Sequence, residues 1–559
     1  MGFLPILGLL LSHHGVAAPV AMEDVVRKFS ADWEMLEHRY PEPYSVQGFA
    51  EHHKLLSIEL GTLDKLQFDK FDEESKVDWI LLNNTVKRWN DQLALKQTQF
   101  EETAPLLPFA NDILAMDEAL RSGLSPDPKA EAARVQAIAT SAKNANSHIE
   151  SGATKGTQVV GRRALRILGA LRSRLKRWFD QTDGYDPEFS FWVREPFQEA
   201  DKALADLAES VRGKVVGIKA GDNETLIGDP IGPEALEKEL RYSMIPYSSD
   251  EVLAIANREF AWCETEMKKA SQELGFGDDW KKALLETEKD AVSPGQSRQT
   301  IRALEEEAIR FVTDRHLVTI PALGEQTWQT IMISPSMQKV YPFFFENEGD
   351  INVAYPAESM PEEQKISSLA SNNIHFQRAT VFHELYPGHA LQEYYMARDR
   401  TYRTIFSTPF WMEGWAVNWE MEMYDLGFMK APKDRIGSLF WRMHRCARII
   451  FSINFHLGKM SPDQCVQFLM DKVGFTHDAA AGEVRRSISG DYEPLYQAAY
   501  MLGALQFRSL RHELIDSGKM TPMQFHDSVM QGNIMPIEMV RARLENQPLS
   551  KDWKTSWRF

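Results

Sequence analysis

The chain has 559 residues, 43 % of them hydrophobic, with 80 acidic and 63 basic side chains and a net charge of −17. This composition belongs to a folded globular protein rather than a disordered one, and the length exceeds what one hydrophobic core serves, so two lobes or an elongated multi-layer body is expected. The acidic balance argues against nucleic acid or an anionic membrane surface as the main partner.

In chain order, Phe3 to Leu11 form a short apolar run, and Val16-Ala17-Ala18 before Pro19 is a small-residue site of the kind a signal peptidase cuts. No Lys or Arg precedes the run, so the α-amino group alone supplies its positive end. Residues 1–18 are read as an export signal, which implies a secreted or periplasmic protein; the alternative is a cytoplasmic protein with a frayed N-terminal extension. The run falls short of the roughly 20 apolar residues that span a bilayer, and no later stretch reaches that length. Cys263, Cys446 and Cys465 permit at most one internal disulfide and show no metal-pair spacing, so they read as buried small hydrophobes.

From about Val25 to Arg310 apolar residues recur at three- and four-residue intervals between charged ones, as from Phe71 to Phe100, which predicts helices almost throughout. Breaks are expected at Tyr40-Pro41-Glu42-Pro43, Ser125-Pro126-Asp127-Pro128, Gly228-Asp229-Pro230 and Pro246. No fixed-period repeat is present. Ser293-Pro294-Gly295-Gln296, Ser461-Pro462-Asp463-Gln464 and Thr521-Pro522-Met523-Gln524 share one helix-start pattern: a hydroxyl cap, Pro at the first helical position and Gln at the third. This divides the chain into an N-terminal helical region, 19–310, and a second region, 311–559.

Between about His316 and Pro356 the texture changes. Leu317 to Ile320, Trp328 to Ile333 and Val340 to Phe345 are β-branched or aromatic runs punctuated by Pro and Gly, which predicts a small sheet. Its edge could hold an extended peptide by backbone hydrogen bonds, or the segment could be a plain brace.

The densest chemistry follows, in Phe382-His383-Glu384-Leu385-Tyr386-Pro387-Gly388-His389-Ala390-Leu391-Gln392. A zinc peptidase needs two neutral imidazoles on one metal and a carboxylate beside the activated water, and His383, Glu384 and His389 can supply all three. The usual motif spaces its histidines i and i+4, about 40° apart around a helix, whereas i and i+6 are about 120° apart. Both imidazoles reach one ion only if the helix is interrupted, through a bulge or a break after Tyr386. Pro387 removes a donor and clashes with the His383 carbonyl, and Gly388 permits the bend. The plainer reading is a helix start with Pro-Gly as punctuation.

Downstream, Glu413 and Glu420 stand in the aromatic segment Pro409-Phe410-Trp411-Met412-Glu413-Gly414-Trp415-Ala416-Val417-Asn418-Trp419-Glu420. A buried carboxylate requires a cation or a full set of donors. The two lie seven residues apart, on one helix face, and Glu413 follows His389 by 24 residues. The H-E-x-x-P-G-H-x-x-Q segment followed by E-G-W-A resembles a bacterial family catalogued as a domain of unknown function, itself similar to the zincin peptidases. E-G-W-A resembles the third-ligand helix of gluzincins. The 24-residue step is similar to that of angiotensin-converting-enzyme-type carboxypeptidases, and a zinc motif one residue shorter than this one occurs in dipeptidyl peptidase III. The resemblance implies His383, His389 and Glu413 as ligands to one zinc ion per chain and Glu384 as the base.

Arg448, Ser452 and His456 fall on one stripe of an apolar helix and resemble the family's R-x-x-x-D-x-x-x-H, with Ser452 at the Asp position. His456 is a candidate transition-state donor, Arg448 and Glu420 candidate supports around the metal. Tyr496 and Tyr500 share a helix face, and Tyr500-x-x-Gly503 resembles the family's C-terminal Tyr-x-x-Gly, so Tyr500 is the preferred oxyanion donor and Tyr496 a substrate contact. Arg485 or Arg486 could clamp a substrate carboxylate bidentately.

The expected protein is therefore a mainly α, zincin-like metallopeptidase with a small β-sheet before the metal-site helix and a deep cleft. Zinc would acidify a water, Glu384 would take its proton and pass it to the leaving amine, and Tyr500 with His456 would hold the oxyanion. Its substrate would be a peptide bond, in short peptides. The alternatives are a zinc amide hydrolase acting on a small metabolite and a non-catalytic metal-binding protein on the same fold. Glu384 argues against the latter, because a structural site has no use for a base there.

Overall fold

The helical texture read between residues 25 and 310 is realised as a succession of long helices, among them Met22–Arg39, Glu73–Glu102, Pro128–Glu150, Gln158–Asp180 and Ser249–Glu273. A computed structural model describes residues 21–559, except 124–126, 220, 223–224, 294, 339–340, 342 and 491. The export signal read at residues 1–18 lies outside the described residues. Among these no helix is long and apolar enough to cross a membrane.

The breaks fall where Pro and Gly place them. Met22–Arg39 ends before Tyr40, and Pro128–Glu150 starts at its proline behind an Asp127 carboxylate that accepts from Ala130 N–H. Ser461 and Thr521 form full capping boxes with Gln464 and Gln524. The third copy of that pattern does not start a helix. The helix Ser297–Asp314 begins four residues after Ser293, because Gly295 adopts φ +79°, a left-handed conformation that cannot sit in a first helical turn.

The sheet has three short strands, β1 (Thr330–Met332), β2 (Phe345–Asn347) and β3 (Asp350–Val353), in the order β1-β3-β2. β3 runs parallel to β1 and antiparallel to β2, with Glu346 opposite Ile351. Leu317 to Ile320 is not a strand. Its polar groups go to side chains instead: His526 Nδ1 bonds the Leu317 carbonyl at 2.8 Å, and Thr319 N–H donates to Asp527.

Buried apolar side chains form two clusters. The smaller runs from Leu106 to Val216, and the larger takes in Met22 to Trp557 and so extends to both sides of residue 310. Two helices at the heart of the larger cluster, Pro409–Asp425 and Tyr496–Arg511, approach backbone to backbone at Gly414 and Gly503. A Cβ on Gly503 would lie 2.2 Å from the Phe410 carbonyl oxygen, so no larger residue fits between them. This contact sets Tyr496 and Tyr500 beside Glu413.

Candidate active site

The helix Ile374–Glu384 carries His383 and Glu384 in its last turn, and a second helix, His389–Met396, starts on the other histidine. The backbone leaves the helix at Leu385 (φ −98°, ψ −114°), two residues earlier than the break expected after Tyr386. Three contacts explain the earlier exit. Gly388 N–H folds back onto the Phe382 carbonyl at 3.0 Å, the Tyr386 N–H freed from the helix donates to the buried carboxylate of Glu305, and Trp415 Nε1–H donates to the Pro387 carbonyl at 2.8 Å. Gly388 is pressed so closely that a Cβ would sit 1.8 Å from the His383 carbonyl oxygen. Gly388→Ala is therefore expected to destabilise the fold by about 3 kcal/mol or more, since only backbone lies in the way. Chemical denaturation of the purified variant checks this, and a loss under about 1 kcal/mol would show that the turn relaxes freely.

The turn brings the imidazoles together. Their rings pack edge to face with centroids 4.8 Å apart, and single ligand atoms of His383, Glu384 and His389 all lie within 4.8 Å of one another. Glu413 joins from the helix Pro409–Asp425: its Oε2 is 3.8 Å from His383 Nε2 and 3.4 Å from His389 Nε2. Two ligands about 2.0–2.1 Å from a tetrahedral ion are about 3.3 Å apart, close to the 3.4 Å between Glu413 Oε2 and His389 Nε2 and shorter than the 3.8 Å to His383 Nε2. Glu413 Oε2 is buried and accepts no hydrogen bond. On the far side of the rings, His383 Nδ1 lies 2.7 Å from Glu420 Oε1, and His389 Nδ1 lies 2.9 Å from Gln392 Oε1, whose amide donates to the Trp411 carbonyl. His389 thus has its rear nitrogen hydrogen-bonded, whereas His383 Nδ1 is close to the Glu420 carboxylate without hydrogen-bond geometry, and both present Nε2 to Glu413.

Burial opposes the charge of Glu413, yet His389 and His383 overcome it and hold the carboxyl below the usual carboxylate range. Burial likewise lowers His389, but Glu413 wins and pushes it up to about 10. A dication in the same place would satisfy this carboxylate instead of the proton. Glu384 is raised, chiefly by burial, and its Oε2 accepts the Glu346 N–H of β2 at 2.9 Å.

These groups open onto a cavity of about 630 Å³, lined also by residues of β2, Trp441, three arginines and the tyrosines Tyr492, Tyr496 and Tyr500.

Residues 29–544 match the family described as "Bacterial protein of unknown function (DUF885)". The chain belongs to this family. Two solved structures share its fold. One is of a candidate lipoprotein of unknown function from Shewanella oneidensis, with TM-score 0.70 and 18 % identity over 94 % of this chain and 100 % of that one. The other is of a candidate lipoprotein from Colwellia psychrerythraea, with TM-score 0.60 and 13 % identity over 94 % and 98 %. No curated protein matches the sequence.

The other residues singled out in the sequence divide. Tyr496 donates its hydroxyl to Glu413 Oε1 at 2.5 Å, so it is already bound to that carboxylate rather than free for a substrate. Tyr500 lines the cavity, and the guanidiniums of Arg448 and Arg445 lie over its ring, 4.3 and 5.2 Å from the centroid. Arg448 makes a bidentate pair with Glu483. His456 stands apart. It is buried against Asp229 and Pro494, is not among the cavity-lining residues and is held down to about 4 by burial. Eight residues beyond Arg448 on one helix is about 12 Å, which carries it away from His383, His389 and Glu413, so it does not share their cavity. Arg485 is likewise off the cavity wall, where Arg486 lies. The edge strand is only partly open to a peptide, because the outward N–H of Glu346 is taken by Glu384.

Sequence reading missed Glu346, Glu305 and Arg445. Glu346 was hidden among aromatic strand residues. Glu305 reads as one more charge on an amphipathic helix, although it is fully buried. Arg445 was legible as one helical turn before Arg448; it donates to Glu420 at 3.0 Å and so fixes the carboxylate behind His383.

Proposed function

We propose that this protein is a zinc-dependent hydrolase of zincin type that cleaves peptide bonds in short peptides. The observation that carries the reading is the convergence of His383 Nε2 and His389 Nε2 on Glu413 Oε2, at 3.8 and 3.4 Å, with the Glu384 carboxylate held beside them by a backbone N–H. His383, His389 and Glu413 would hold the ion. When bound, zinc would supply Lewis acidity toward the amide carbonyl and lower the pKa of water.

The chain's own residues do the rest. Glu346 N–H fixes Glu384 Oε2, which leaves Oε1 to take a proton from the attacking water and to deliver it to the departing nitrogen. Burial raises the basicity of this carboxylate, which suits a group that must gain and lose a proton near neutral pH. Tyr500, in the cavity beside Glu413, donates to the oxyanion, and the arginines over its ring add positive potential there. The aromatic wall of Phe343, Phe345 and Trp441 excludes water from the bond being cleaved. The chain's candidate export signal, and the lipoprotein descriptions of the two structural relatives, support a site of action outside the cytoplasm.

Elemental analysis and a peptide-library digest read by mass spectrometry test the proposal. The expected result is one zinc per chain and cleavage that stops with a chelator and returns with zinc. Metal-replete protein that cuts N-acyl amino acids but no peptide would move the reading to a small-metabolite amidase. Metal-replete protein inert toward both would overturn it.

A further inference from the structure

Three arginines, Arg445, Arg448 and Arg486, stand together on the cavity wall, and two of them share a single carboxylate. Arg448 is buried and donates to Glu483 through Nε at 2.6 Å and Nη2 at 3.1 Å, and Arg486 donates to the same carboxylate through Nη2 at 3.2 Å. His444 adds a third contact to Glu483 at 3.4 Å, but burial holds it down to about 3, so it is neutral. Two guanidinium charges therefore share one carboxylate. The remaining arginine of the wall, Arg445, spends its charge on Glu420, which also faces His383. Glu493, which also lines the cavity, pairs at 2.7 Å with Arg88, a cation it shares with Glu239. Arg448 and Arg486 together thus carry one more positive charge than the Glu483 they share, Arg448 buried and Arg486 partly exposed at the cavity, and Glu413 is the next carboxylate that acts on Arg448. A buried charge calls for a counter-ion of matching geometry, and the planar guanidinium fork matches a carboxylate.

We infer that Arg448 and Arg486 form a subsite for the free terminal carboxylate of the substrate, which makes this protein a hydrolase of C-terminal peptide bonds or of N-acylated amino acids rather than of internal bonds. The inference rests on the proposed hydrolase reading and specifies its substrate. Geometry limits how far the cleaved bond lies from the anchor. Tyr500 stacks on Arg448 at 4.3 Å, and its ring is 5.8 Å from that of Tyr496, whose hydroxyl reaches Glu413. An extended chain gains at most about 3.5 Å per residue, so the bond at the metal site lies within the last few residues before the carboxylate.

The test separates anchoring from hydrolysis. Benzoyl-glycyl-phenylalanine and its C-terminal amide differ only in the charge the subsite would hold. Calorimetric titration of both into the zinc-loaded Glu384→Gln variant, whose hydrolysis is expected to be slow, reads binding alone. The acid is expected to bind about 100-fold more tightly than the amide, because the amide offers no charge to the guanidiniums of buried Arg448 and half-buried Arg486. Arg486→Gln in that background should cut the ratio to under about 5-fold, while Arg485→Gln, off the cavity wall, should keep it. Equal binding of acid and amide, or an equal fall in both arginine variants, would overturn the inference. If Arg486→Gln does not fold, the acid-to-amide ratio of the parent protein still decides. A strong preference for the acid together with an inert wild type would retain the carboxylate subsite and reject the hydrolase.

Discussion

Glu384→Gln is expected to keep its zinc and its fold and to lose about 10³- to 10⁴-fold in kcat, the range that removal of a general acid–base group produces. The side chain is buried, and its carboxyl is raised by that burial, so the neutral amide suits the same pocket. The glutamine carbonyl can still accept the Glu346 N–H. Only the capacity to take and return a proton is lost. Single-turnover assays with metal content measured on the same samples would show it, and near-normal turnover by a zinc-replete variant would remove Glu384 from the mechanism.

Glu413→Gln should abolish stable zinc binding, a larger loss than the about 10- to 100-fold expected when an outer-shell partner such as Glu420 is changed. The substitution keeps the shape of the side chain and a carbonyl for the Tyr496 hydroxyl, so the fold has no reason to change. What goes is the negative charge that His383 Nε2 and His389 Nε2 both face. Elemental analysis after dialysis against micromolar zinc, run in parallel on Glu420→Gln, distinguishes the two carboxylates. Full zinc in Glu413→Gln with none in Glu420→Gln would make Glu420 the third ligand, against the position it has behind His383 Nδ1 and beside Arg445.

The sequence by itself determined the helical class, the element breaks at Pro and Gly and two of three capping boxes, because these depend on contacts within a few residues. It also determined that both imidazoles can face one point only if a break separates His383 from His389, since the angle between positions six apart on a helix is fixed by helical geometry. Where the break falls was a tertiary matter: Glu305, 81 residues upstream of Tyr386, and Trp415, 28 residues downstream of Pro387, hold the loop in place. The same holds for the chemistry of each polar side chain. Tyr496 and Tyr500 share a helix face, yet one is bound to Glu413 and the other stands against arginines. Arg485 and Arg486 are neighbours in sequence, yet only Arg486 is on the cavity wall. His456 continues the stripe of Arg448, but a straight helix carries it beyond the reach of the site. Periodicity tells which face of its own helix a residue occupies. What that face meets depends on helix packing, here on the backbone contact of Gly414 with Gly503, which local sequence pattern does not encode.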